Sequence, residues 1–152
     1  MNLQSYLDEM GVHYRLSRHP TAYTAQDLAM TEHIPGQRVI KPVVVRADGD
    51  FVMCALPASY RVDLEELKKQ LEASEVALAD EQKLTELFPD CELGAAPPIG
   101  RLYGMTTVMD ESLMKDNHVT FQAGTHTDAV TMTMADYRRL AQPEMAHFAR
   151  HV

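Results

Sequence analysis

Lys41 stands inside an otherwise apolar run, Val39-Ile40-Lys41-Pro42-Val43-Val44-Val45. An extended chain alternates its side chains, so the run predicts a strand with Lys41 on the face of Val39, Val43 and Val45. Taking an ammonium out of water is costly. Lys41 therefore either finds a partner, such as an anionic ligand or a polarised carbonyl, or sits at the strand mouth and snorkels to solvent. Two loops could supply the matching chemistry. In Gly94-Ala95-Ala96-Pro97-Pro98-Ile99-Gly100 the prolines stiffen the turn. The entrance glycine lets backbone N–H groups approach a ligand oxygen with no Cβ in the way. Gly124-Thr125-His126-Thr127-Asp128 offers hydroxyl, imidazole and carboxylate groups together. Read alone, the proline segment is equally a plain tight loop, and the Gly124 segment is more simply a polar hairpin turn.

Other chemistries lack their motifs. The seven histidines form no HExxH or HxH pattern and no ligand-spaced pair with a cysteine, which leaves a metal-dependent hydrolase built on His118 and His126 as the weaker reading. No GxSxG elbow marks a nucleophile, Cys54 reads as a small core residue, and no Walker or GxGxxG loop points to a nucleotide cofactor. The chain has 152 residues and a net charge of −8, enough length for one domain with a hydrophobic core and the wrong sign for a general DNA or membrane surface. A nucleic-acid partner would have to be gripped locally. Lys68-Lys69 and Arg138-Arg139 are candidates, though the plainer reading of each is a solvated helix face. The two cysteines have no CxxC spacing, and Met1-Asn2-Leu3-Gln4 has no basic segment followed by a long apolar one. These features predict no signal peptide and a cytoplasmic location. No apolar run approaches membrane-spanning length.

The elements that must position these residues are short. Leu3, Tyr6, Leu7 and Met10 predict an amphipathic helix with Asn2 as cap and Gly11 as stop. Val12, Tyr14 and Leu16 alternate as a strand, and Thr24-Ala25-Gln26-Asp27 opens a second helix that Gly36 would close. Two apolar runs flank Asp48-Gly49, so residues 39–56 predict a hairpin. Asp63 and Asp80 each cap a helix, with a short strand at 76–79 between them. Strands follow at 106–109, 118–123 and 129–134, then a last helix at 136–140. The expected fold class is mixed α+β, one domain over 1–152, with a barrel-like curved sheet surrounded by short helices.

In this order the motifs resemble the YbaK/EbsC family, free-standing relatives of the editing domain of bacterial prolyl-tRNA synthetase. The resemblance runs along nearly the whole chain: Tyr23-Thr24-Ala25, Lys41, Leu56-Pro57-Ala58, Val62-Asp63-Leu64, Phe88 to Gly94, Pro97-Pro98, Leu102-Tyr103-Gly104 and Phe121 to His126. It implies a trans-editing aminoacyl-tRNA deacylase, a second sieve for amino acids that one binding site cannot tell apart. The implied catalytic residues are Lys41, Gly94 and Gly124, and the implied substrate-binding residues are Thr24, Pro98, Thr125, His126 and Asp128. The reaction implied needs no cofactor, metal or covalent intermediate: Lys41 polarises the ester, the glycine loops fix it, and a positioned water attacks. The implied partners are the CCA end of a mischarged tRNA, with tRNA-Pro among the candidates, and an aminoacyl-tRNA synthetase. Neither DNA nor a membrane is expected. Pro42 departs from the threonine that relatives commonly carry there and removes both a hydroxyl and an N–H. That departure favours the rival reading, a non-catalytic module that retains the pocket to bind a tRNA end, a nucleotide or a synthetase.

Overall fold

The computed structural model describes residues 3–151, so the expected Asn2 cap lies outside the described residues. Helix α1 (Leu3–Glu9) buries Leu7 and lays Leu3, Tyr6 and Met10 against the main core, as its spacing predicts. Strand β1 (Tyr14–Arg18) follows. Helix α2 (Ala25–Thr31) starts where Thr24 Oγ1 accepts the Asp27 amide at 3.0 Å. Gly36 does not close this unit. The chain turns earlier, through His33 at φ 57°, and Gly36 opens a 3-10 turn over Gly36–Arg38.

The hairpin forms as expected from β2 (Ile40–Ala47) and β3 (Asp50–Pro57). Asp48 and Gly49 both have positive φ, the conformation that a two-residue turn needs to match the strand twist. Strand β4 (Tyr60–Val62) leads through the Asp63 cap into α3 (Leu64–Gln70), and β5 (Val76–Leu78) leads through the Asp80 cap into α4 (Glu81–Leu87). Then come β6 (Thr106–Asp110), β7 (His118–Gln122) and β8 (Asp128–Thr133). Helix α5 (Met134–Ala141) has Thr133 as its cap, and β9 (Glu144–Ala146) and β10 (Ala149–His151) end the described chain. Strands β4, β9 and β10 are additions to the sequence reading.

The fold is mixed α+β, but the expected barrel-like sheet does not close. The strands form three sheets, ordered β5-β2-β3-β6-β9, β1-β8-β7 and β10-β4. A parallel bridge between Val39 and Thr120 joins the first two at one point, and one bridge cannot supply the continuous ladder that a barrel requires. The main hairpin separates two packed regions. Ile40, Val44, Met53 and Ala55 face one side, toward α5 and the proline loop. Val43, Val45, Cys54 and Leu56 face the other, against Leu67 of α3 and Phe148. This alternation decides where Lys41 points.

Candidate active site

The loops carrying Gly94 and Gly124 are clasped together. Gly124 donates its amide to the Ala95 carbonyl at 2.8 Å and accepts from the Glu92 amide at 2.8 Å. The Glu92 carboxylate returns across the gap to accept the His126 amide at 2.8 Å. His126 is buried with Nε2 2.8 Å from the Leu93 carbonyl and Nδ1 3.2 Å from that of Ala22, so its ring ties the Gly94 loop to the segment before α2. Gln122 Nε2 donates to the same Ala22 carbonyl at 2.7 Å. This ring reads as a strut, because both nitrogens face backbone acceptors.

Both glycines have φ values open to glycine and strained for other residues, +86° at Gly94 and +94° at Gly124. Gly94 is also solvent-exposed, so a ligand can reach its backbone. A Cβ on Gly124 would meet Cys91 Sγ at 3.8 Å, an ordinary contact, so the conformational strain dominates. Gly124→Ala is expected to lower stability by about 1–3 kcal/mol, seen as an earlier urea midpoint with an unchanged slope. A parental midpoint would show that the loop relaxes at no cost.

The structure gathers most of the other expected residues around this clasp. Thr125 Oγ1 donates to Asp128 Oδ2 at 2.6 Å, which closes the Gly124 loop on itself. Pro98 is buried, and its carbonyl accepts the Tyr137 hydroxyl of α5 at 2.6 Å, so the proline loop is propped from beneath. Thr24 is exposed and its hydroxyl is occupied as the α2 cap. His118 begins β7 and His126 follows its other end, and among the described residues no group of three or more His, Cys, Asp or Glu is arranged to hold a metal ion. Lys68-Lys69 and Arg138-Arg139 lie on α3 and α5, neither of which lines the cavities beside the clasp.

Lys41 is placed differently from the loops. It pairs with Leu56 and shares the face of Val43 and Val45, as alternation predicts, while Val39 falls outside β2 and packs in a separate cluster. Its Nζ donates to the Tyr60 carbonyl of β4. Pro42, pointing the other way, lines the cavity beside Gly94; Lys41 lines neither cavity at the clasp. Burial holds the half-buried Lys41 ammonium below the ordinary lysine pKa.

Two cavities meet at the clasp. One, of about 440 Å³, includes Gly124, Asp128, Asp90 and Pro97, and the other, of about 360 Å³, includes Gly94, Val44, Leu84 and Phe88. Cys91 lines both, with Sγ 3.4 Å from the Tyr103 hydroxyl. Desolvation raises the Cys91 pKa even though the tyrosine hydrogen bond opposes it, and desolvation also raises that of Tyr103. The pair therefore remains protonated at neutral pH, a poor nucleophile. Burial pushes the Cys54 thiol up to about 12, in keeping with a core residue. Glu92, Cys91 and Tyr103 are site residues to which the sequence assigned no role, although all three lie within segments that carry the resemblance. Tyr23 is a fourth, 69% exposed with its ring centroid 5.2 Å from that of His126.

The family model for the aminoacyl-tRNA editing domain matches residues 19–140. The multifunctional Ser/Thr-tRNA deacylase ProXp-y of Escherichia coli strain K12 is 26% identical over 153 residues, covering 97% of this chain and 91% of its own. Among solved structures, a candidate trans-editing enzyme for prolyl tRNA synthetase has a TM-score of 0.86 at 19% identity, covering 97% of this chain and 94% of the other. A hypothetical protein of known crystal structure has a TM-score of 0.88 at 17% identity, over 97% and 99% of the two chains. These structural likenesses establish a shared fold.

Proposed function

Because this chain belongs to the aminoacyl-tRNA editing domain family, we propose that it hydrolyses, in trans, the ester joining a wrongly attached amino acid to tRNA. The substrate is a tRNA carrying a small wrong amino acid, tRNA-Pro or another, and the synthetase that charged it is the further partner. The observation that carries this reading is the clasp. Two exposed or half-buried positive-φ glycines lie on tied loops where two cavities meet, a geometry that admits an ester close to backbone donors.

In the proposed reaction a water oxygen adds to the ester carbonyl carbon, and the bond from that carbon to the ribose oxygen breaks. The amino acid leaves as a carboxylate, the ribose oxygen takes one of the water's protons, and the other proton passes to solvent. Backbone N–H groups of the Gly94 loop hold the developing oxyanion, since the Gly124 and His126 amides already serve the Ala95 carbonyl and the Glu92 carboxylate. Thr125 and Asp128 border the nucleoside side, the Pro98 carbonyl is held away by Tyr137, and His126 keeps the loops in register. The proposed contact is confined to the CCA end, which suits a chain of net charge −8.

The non-catalytic module remains the second reading, favoured by the engagement of Lys41 Nζ with Tyr60 rather than with either loop. A deacylation screen separates the two: tRNA-Pro charged with Ala, Cys, Ser or Thr, followed by release of the labelled amino acid. Release above the uncatalysed rate for at least one ester is the expected result. Saturable binding of every charged tRNA with no release would establish the module instead.

A further inference from the structure

We infer that the cavity beside Gly94 receives the side chain of the attached amino acid and selects aliphatic esters over hydroxylated ones of the same shape. The inference rests on the deacylase reading and deepens it. Gly94 lies at the edge of this cavity and Gly124 in the other, with Cys91 on the wall of both. An ester held between the two glycines can send its ribose one way and its amino-acid side chain the other. The Gly124 side carries Asp128 and Asp90, groups suited to ribose hydroxyls and base edges. The Gly94 side has walls from Val44 of β2, Leu84 and Phe88 of α4, and Ala96 of the proline loop.

Three polar side chains reach those walls, and each makes a hydrogen bond within the protein. Thr85 Oγ1 donates to the Glu81 carbonyl at 3.0 Å, Cys91 Sγ pairs with the Tyr103 hydroxyl at 3.4 Å, and Glu92 Oε1 accepts the His126 amide at 2.8 Å. A substrate hydroxyl entering among Val44, Leu84, Phe88 and Ala96 gives up its water beside apolar side chains, whereas a methyl group in the same position gains contact with the wall. Valine and threonine have nearly the same shape, so they isolate this term. At about 360 Å³ the space lies at the lower end of small-molecule sites and takes either without crowding.

The test charges one tRNA with valine or threonine, and with alanine or serine, and measures kcat/KM for deacylation by the full chain. An apolar pocket rejects a hydroxyl isostere by up to about 10²-fold, so valyl ester should be removed roughly 10–10²-fold faster than threonyl ester, with alanyl over seryl in the same direction. Equal or faster removal of the hydroxylated esters overturns this inference and leaves the deacylase standing; release from none of the four, nor in the wider screen, overturns both. Val44→Thr adds a hydroxyl to the wall with little change of shape and should shrink the valyl preference at least threefold. An unchanged ratio in a folded variant would show that the side chain goes elsewhere. Ala96→Ser gives the same readout from another wall if Val44→Thr does not fold.

Discussion

Lys41→Ala is expected to lower kcat/KM for deacylation by about 10²–10³ while the protein stays folded, the loss typical of one electrostatic contact made to the transition state. The expectation requires movement, because Lys41 Nζ rests on the Tyr60 carbonyl, on the face of β2 opposite Gly94. Lys41 directly precedes Pro42, which lines the Gly94 cavity, and a four-carbon stem with three donors can leave or share one carbonyl acceptor. Desolvation gives the reason to leave: a half-buried ammonium held below its ordinary pKa gains from an anionic partner.

The depressed pKa also sets a pH signature. In the folded protein Lys41 loses its proton at a lower pH than an ordinary lysine, so a charge-dependent rate should fall on the alkaline side earlier than an ordinary lysine would make it. Lys41→Arg keeps the charge throughout and should abolish that limb, measured above the rate of uncatalysed ester hydrolysis. The same shift has a stability sign. The folded state disfavours the charged form, so the penalty is fully present below the folded pKa and fades as pH rises toward the unfolded value. Alanine removes that penalty but also strips the Tyr60 carbonyl of its donor, and the two effects oppose. If Lys41→Ala keeps parental kcat/KM, the lysine is a strut between β2 and β4 and the oxyanion is held by backbone donors alone.

Local chemistry made much of this fold legible. Thr24, Asp63 and Asp80 each cap the helix they were expected to cap, because an N-cap is decided within four residues. Asp48-Gly49 sets the main hairpin for the same reason. The unread strands β4, β9 and β10 are three residues each, too short for a period, and exist through distant partners: β9 lies parallel to β6, and β10 pairs with β4 across most of the chain. The site divides likewise. Order and residue type brought out Gly94, Gly124, Thr125, His126 and Asp128, which the structure gathers. Alternation gave the face of Lys41 correctly relative to Val43 and Val45, but which face of the hairpin meets the loops is a property of the whole topology. Glu92 and Cys91 escaped notice because their partners, the His126 amide and the Tyr103 hydroxyl, come from other parts of the chain.

The largest expected stability effect lies at Asp110, which is 1% exposed at the end of β6. Its Oδ1 accepts the amides of Phe148 and Ala149 at 2.8 and 2.9 Å, and its Oδ2 accepts the amide and hydroxyl of Ser112. Among the described residues no ion pair joins this carboxylate, so neutral donors hold it. Asp110→Ala would leave two buried amides unpaired at about 1–3 kcal/mol each, a loss of roughly 2–6 kcal/mol against a typical total of about 5–15. Asp110→Asn keeps one acceptor oxygen for the two amides but turns an NH2 toward Ser112, so it should lose less than alanine. Urea unfolding of both variants checks the order, and equal midpoints for alanine and parent would show that water replaces the carboxylate. The consequence reaches the site through one chain of contacts: Asp110 fixes Phe148 and Ala149, β10 pairs with β4, and β4 presents the Tyr60 carbonyl to Lys41. In a folded Asp110→Asn protein β10 should loosen first, and the early alkaline limb assigned to Lys41 should move toward the ordinary lysine value as its surroundings admit water.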